Sequence, residues 1–335
     1  MDMNAEPESF SDWLPVRVYW QENRAFVDWC CVGKERFREP FFDQTIERRF
    51  RQPFNLLFRH QTPIEFLGEL NARLPALAPT GFIFHMSRCG STLISQMLAA
   101  LDQNVVMSEP PPVDFILRAN LKGAEITDER RIAWLQWIIG ALGQKRNREE
   151  EHFFVKFDSW NTLDLAIIKR AFPAVPWIFS YRNPVEVIVS HLRLRGAQMI
   201  PGVVGNLLPD VDLADVLPMP AEEYCARVLA RICASALEHL PHQNARLVNY
   251  TELPAAVTST VTEHFRLAYA PEDVERMKLA AQFNAKTPQM NFVADSETKK
   301  KQASAAAREA AEKWVNPLYE KLESLRRKSF NAKKI

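Results

Sequence analysis

Phe82-Ile83-Phe84-His85-Met86-Ser87-Arg88-Cys89-Gly90-Ser91-Thr92-Leu93-Ile94 is an apolar run that breaks into a short polar turn and resumes as an amphipathic helix. Such a passage sets unpaired backbone N–H groups and the positive end of a helix dipole against whatever the turn encloses, which describes a phosphate site. A nucleoside-triphosphate loop carries a Lys between its last Gly and the Ser or Thr. Here Gly90 is followed at once by Ser91 and Thr92, so the turn reads as anion-binding but not ATPase-like.

Outward from this turn, the pattern from about residue 75 is of short apolar strands separated by helical stretches, which specifies a parallel α/β sheet. The expected strands are Gly81–Met86, Asn104–Met107, Phe153–Phe157, Trp177–Tyr181 and Arg246–Asn249. Leu93, Ile94, Met97, Leu98 and Leu101 fall on one helical face, as do Tyr224, Val228, Leu229, Ile232 and Ala236, so both helices are expected to dock on the sheet. Upstream, Val16–Trp20 and Ala25–Cys30 flank a polar turn and read as a β-hairpin. The division expected is a small accessory unit over 1–74, with no evident chemistry, and a main domain over 75–335. Two long stretches, Gly196–Pro220 and Asn284–Lys301, read as irregular loops of the kind that carry lids or binding sites. Ala303–Leu325 reads as helix, interrupted near Pro317.

Composition narrows the classes. The 335 residues are 47% hydrophobic and 25% charged with a net charge of +1, which removes any strong argument for nucleic-acid binding. No apolar run is long enough for a membrane span. The acidic start, Met1-Asp2-Met3-Asn4-Ala5-Glu6, lacks the basic segment and apolar core of a secretory signal, so the expected location is cytoplasmic. Five cysteines without metal-ligand spacing read as reduced thiols, and no metal site is expected.

A second strand-break-helix passage, Trp177-Ile178-Phe179-Ser180-Tyr181-Arg182-Asn183-Pro184-Val185-Glu186-Val187-Ile188-Val189-Ser190-His191, puts Arg182 at a strand end and Ser190 two helical turns on. Together they are placed to grip one anion from two sides. Two anion seats on one sheet call for a ligand with phosphates at both ends.

With both passages in hand, the chain resembles the sulfotransferase family, whose donor is 3′-phosphoadenosine 5′-phosphosulfate (PAPS). Arg88-Cys89-Gly90-Ser91-Thr92 is similar to that family's 5′-phosphosulfate loop, Arg182 and Ser190 to its 3′-phosphate motif, and Arg246–Leu253 to its late strand and turn. The loop most resembles that of the tyrosylprotein branch, in which a downstream acid serves as base; Glu109 holds that place here. The cytosolic branch uses a His after a Lys-Thr pair, and the comparable Val155-Lys156-Phe157-Asp158 keeps the Lys but has Asp158 where the His would stand. Glu109 and Asp158 therefore compete for one role.

The resemblance implies a P-loop-type α/β fold and direct in-line transfer of a sulfuryl group from PAPS to a hydroxyl or amine acceptor, with no metal. It implies catalytic parts for Arg88, Glu109, Lys156 and Asp158. Donor contacts fall to Arg88, Cys89, Gly90, Ser91, Thr92, Arg182 and Ser190, with Lys299 and Lys300 as a basic element near the 3′-phosphate. Cys89 departs from the hydroxyl residue common at its position. The rival readings are an ATP-dependent phosphotransferase and a nucleotide-binding module without turnover. Set against the functional readings, Glu109 is an ordinary loop carboxylate, the Lys299 group a solvated face, His191 a packing residue and Trp160 a core aromatic. The acceptor and the oligomeric state are not written in the sequence.

Overall fold

The computed structural model describes residues 6–119, 126–240, 244–291 and 295–331; the acidic start Met1–Ala5 and residues 332–335 lie outside the described residues. The chain opens on the expected hairpin, β1 (Trp13–Gln21) and β2 (Arg24–Cys31), whose register closes at Gln21 opposite Arg24. Glu22 and Asn23 between them both have positive φ, the geometry of a two-residue turn whose twist matches the strands. A third strand, β3 (His60–Pro63), joins β2, after helix α1 (Phe42–Phe50).

The main sheet comprises β4 (Pro79–His85), β5 (Asn104–Ser108), β6 (His152–Lys156), β7 (Trp177–Tyr181) and β8 (Ala245–Asn249), all parallel in the order β5-β6-β4-β7-β8. All five expected strands are present, with ends moved by one or two residues. Their near-continuous apolar sequences follow from burial on both faces. Phe82, Phe84, Phe153, Val155, Trp177 and Phe179 point into one apolar cluster, and Ile83, Phe154, Ile178 and Val248 into the other. Helix α2 (Ser91–Ala99) covers the second face through Leu93, Ile94, Met97 and Leu98. Helix α3 (Pro184–Arg193) and helix α4 (Ala221–His239) lie on the first, with Val187, Ile188, Tyr224, Val228, Leu229 and Ile232 buried there. That first cluster runs on without a break into Leu14, Trp29 and Phe66 of the N-terminal segment.

Two irregular stretches turn out differently from the expectation. Residues 284–301 hold regular structure: a short hairpin of β9 (Phe283–Asn284) and β10 (Thr287–Asn291), then helix α5 (Ser296–Gln302), with 292–294 outside the described residues. Polar, basic sequence without apolar period hid both. In Gly196–Pro220, Met199, Val204, Leu207 and Leu208 are buried core residues, and only Ile200 and Val203 of that apolar set are exposed. Near the end, a π-turn over Ala311–Val315 precedes helix α6 (Asn316–Asn331). Pro317 lacks the N–H that would continue the ladder, which accounts for the interruption.

The chain passes from β4 out to the edge strand β5, returns inward to β6 beside β4, then crosses to β7 on the other side of β4. In such sheets a crevice opens beyond the carboxyl ends of the strands where the winding reverses. His85 ends β4 on that edge, and Glu109, Asp158, Arg182 and Tyr250 follow the ends of β5, β6, β7 and β8.

Candidate functional site

The crevice is a cleft of about 510 Å³ lined by the turn Ser87–Thr92 together with Glu109, Asp158, Arg182, Ser190 and Lys299. The fold thus brings together all but two of the residues singled out from sequence. Lys156 does not line the cleft; it is fully buried behind it. Lys300 is turned away, paired with Glu297 at 3.2 Å and reaching Glu186 at 3.8 Å.

The turn itself is a left-handed passage, with φ of 79° at Ser87, 51° at Arg88 and 87° at Gly90. Two non-glycine residues in that region cost of order 1–3 kcal/mol each, so the surroundings must hold them. They do. The Ser87 amide donates to Nδ1 of His85 at 3.1 Å, and Ser87 Oγ meets Nε2 of His191 at 3.1 Å and Nε2 of Gln198 at 3.0 Å. Cys89 Sγ donates to the Ser180 carbonyl at 3.0 Å, and Ser180 Oγ donates back to the Cys89 carbonyl at 3.1 Å. The Cys89 side chain is fully buried and its thiol is pushed up by that burial, so it is an inert packing group, and only the backbone of Cys89 is placed to meet a ligand. At Gly90 a Cβ would fall 2.5 Å from Leu253 Cδ1 and 3.0 Å from Tyr250 Cδ2, so glycine is required by contact as well as by φ. Helix α2 starts there without a side-chain cap, which leaves its first-turn amides for the cleft.

Three carboxylates and a buried lysine meet beside the turn. Glu109, itself at φ 56°, bonds through its carboxylate to Nζ of Lys156 and lies 3.4 Å from Nε2 of His85. Burial alone would raise its pKa, but Lys156 and His85 outweigh it and hold the carboxyl well below the usual range. His85 stays neutral: burial lowers its pKa, Nδ1 accepts from Ser87, and Nε2 therefore carries the proton toward the Phe157 carbonyl at 3.1 Å and Glu109. Asp158 goes the other way. Burial, then the nearby charges of Glu109 and Asp114, push its carboxyl well above the ordinary value, so of the two competing acids Glu109 is the ionised one. Asp114 accepts from Asn161 Nδ2 at 2.8 Å and from Trp160 Nε1 at 2.6 Å, and Trp160 both packs against the first apolar cluster and lines the cleft.

Beside Tyr250 at the β7–β8 end of the cleft, Arg182, buried at 4% exposure, donates to Glu186 at 2.6 Å and to Asp295 and Ser296, each at 2.9 Å. Its guanidinium lies 3.8 Å from the centre of the Tyr250 ring. Lys299 pairs with the same Asp295 at 2.7 Å. Every cation at this end is matched by a carboxylate. At the turn end, Arg88 donates to the Leu194 carbonyl at 2.8 Å and, among the described residues, has no carboxylate within 4 Å.

Several cleft residues had no distinguishing mark in the sequence. His85 lies inside the quoted strand as an isolated histidine. Phe41 comes from the N-terminal segment, where no chemistry was expected, and Lys286 and Asp295 come from a stretch without periodicity. Phe41, Lys286 and Asp295 reach the cleft from segments distant in sequence from the turn. Among the described residues no group of three or more His, Cys, Asp or Glu is arranged to hold a metal ion, and no helix is long and apolar enough to cross a membrane. The five cysteines are unpaired.

Fold and site together define an α/β protein with a parallel five-stranded sheet and, at its switch point, a cleft lined by a left-handed turn and by cationic side chains. No family model matches the chain, and no curated protein matches it. Among solved structures, it is similar to a sulfotransferase domain from the curacin biosynthetic pathway at 16% identity and a TM-score of 0.46, over 71% of this chain and 98% of that one. A sulfotransferase from Alicyclobacillus acidocaldarius is similar at 14% and 0.44, over 75% and 96%. Retinol dehydratase in complex with retinol and PAP is similar at 15% and 0.37, over 77% and 87%. Likeness at this level leaves the chemistry to be argued from the cleft itself.

Proposed function

We propose that this protein is a PAPS-dependent sulfotransferase acting on a hydroxyl or amine acceptor, with Glu109 as base in the manner of the tyrosylprotein branch. The observation that carries the reading is the convergence, in one cleft, of a left-handed amide turn bearing Arg88 with a second cationic group of Arg182, Ser190 and Lys299. Such a cleft suits an elongated ligand with an anion at each end. In this reading residues 75–335 form the catalytic domain, and 1–74 an accessory unit that supplies Phe41 to the cleft wall.

When bound, PAPS supplies a sulfuryl group whose transfer leaves negative charge on a phosphate. The backbone amides of Cys89 to Thr92 and the Arg88 guanidinium hold that charge, as preorganised donors in a partly desolvated site. Arg182, Ser190 and Lys299 fix the other phosphate and so the line of attack. Glu109, ionised and oriented by Lys156 and His85, takes the proton from the acceptor oxygen. Lys156 acts from behind the carboxylate, since it has no face on the cleft. Asp158, whose carboxyl is pushed well above the ordinary value by burial and by the neighbouring Glu109 and Asp114, is in this reading the weaker candidate for the ionised base.

The test is a thermal-shift titration with 3′-phosphoadenosine 5′-phosphate (PAP) beside one with magnesium ATP. A ligand at 100 times its Kd stabilises by about 2.7 kcal/mol, a shift that such melts resolve. PAP is expected to raise the melting temperature and magnesium ATP to leave it unchanged. A flat PAP titration overturns the proposal, and a shift with magnesium ATP alone assigns a phosphotransferase instead.

A further inference from the structure

We infer that Lys286, in the turn of the β9–β10 hairpin, is a second cationic arm on the donor's 5′ end, beside the Arg88 turn in the same cleft; this rests on the reading just proposed. Lys286 lines the same cleft as Ser87–Thr92 and Glu109, with its side chain open to solvent there. Its backbone is held in place: the Lys286 amide donates to Asn284 Oδ1 at 3.0 Å, and the preceding Ala285 packs against the apolar cluster under helix α2. The side chain is also directed. Nζ of Lys286 lies 5.8 Å from the centre of the Phe41 ring, and Nζ of Lys156, the partner of Glu109, lies 5.3 Å from the same ring, so one aromatic side chain receives both ammonium groups.

Charge balance then separates Lys286 from the other lysines near the cleft. Lys156 is matched by Glu109, Lys299 by Asp295 and Lys300 by Glu297. Among the described residues no carboxylate lies within 4 Å of Lys286 or of Arg88. Crowding by the cleft walls and the charges of Arg88 and Lys156 hold the Lys286 ammonium down to about 8, with Glu109 the opposing influence. Two cations in one cleft without a carboxylate partner, next to the turn amides, form a seat for an anion of more than one charge. A 5′-phosphate or phosphosulfate has that charge, and a neutral acceptor does not.

The test compares PAP with adenosine 3′-phosphate, which lacks the 5′ group, by calorimetric titration of the wild type, Lys286→Gln and Lys286→Arg. Lys286→Gln is expected to weaken PAP about 10- to 100-fold while leaving adenosine 3′-phosphate within about twofold, and Lys286→Arg to keep most of the PAP affinity. Equal weakening of both ligands, or none, overturns the assignment while the donor reading stands. Absence of PAP binding by the wild type overturns the donor reading, and the assignment with it. Should Lys286→Gln melt below the wild type without ligand, the charge-conserving arginine variant decides alone: loss of PAP-specific affinity in it would show that backbone placement, and not charge, was at issue.

Discussion

Asp295 stands where an anion would stand. Its two carboxylate oxygens meet Arg182 at 2.9 Å and Lys299 at 2.7 Å, and those cations together hold its carboxyl below the usual range against the opposing effect of burial. If the far phosphate of the donor sits between Arg182 and Lys299, it competes with this carboxylate for the same donors. Asp295→Ala is therefore predicted to tighten PAP binding by about tenfold, corresponding to some 1.4 kcal/mol. Calorimetric titration of the variant checks this, and weaker binding would mean that Asp295 orients the two cations for the ligand. Glu186 is not equivalent. It is as buried as Arg182, and stripping Arg182 away would leave a carboxylate uncompensated in the interior, so Arg182→Ala is a poor probe of binding alone.

At the scale of elements, the turn between β4 and α2 is rigid because its neighbours over-determine it. Tyr250 and Leu253, from the end of β8, press on Gly90 and leave no room for a Cβ, while Ser180 of β7 exchanges hydrogen bonds with Cys89. Gly90→Ala adds a left-handed penalty of about 1–2 kcal/mol to that contact. It is predicted to unfold at lower denaturant by at least that amount and to lose PAP affinity, both read from denaturant melts with and without ligand. An unchanged melt would show that the turn relaxes freely. The strand-turn-helix passages were legible because period and turn chemistry coincide there. The β9–β10 hairpin and helix α5 were not, since their polar residues are ordered by what they meet across the cleft and not by an apolar face of their own.

Over the whole molecule, stability against acid depends on buried groups with opposite signs. His191, at 1% exposure, is held neutral by burial and by Arg88, Lys286 and Lys299, with its pKa down at about 3. The unfolded chain thus takes up a proton near pH 6.5 that the folded one refuses, and the contribution of His191 is lost as pH falls from 6.5 toward 3. Asp164, raised by burial to about 7, works in the other direction across much of the same range, so the net curve conceals both. A comparison of variants separates them. His191→Gln keeps a donor toward Ser87, and its melts are predicted to run parallel to the wild type above pH 7. Below about pH 6.5 the wild type should lose ground to it by up to about 1.4 kcal/mol per pH unit. Curves parallel down to pH 4 would place His191 in contact with solvent.

What the amino-acid sequence determined by itself is the layered frame: five strands, the helices that follow them, and two polar breaks that become anion turns, because period, apolar runs and turn residues act over a few positions at a time. Tertiary structure alone decided the charge states in the cleft. Glu109 is held toward its ionised form because β6 brings Lys156 beside it, and the Asp158 carboxyl is pushed the other way by burial and then by Glu109 and Asp114. The same holds for Phe41, Lys286 and Asp295, which arrive from distant parts of the chain. Electrostatic interactions depend on distance in space and on burial, and neither is a property of spacing along the chain.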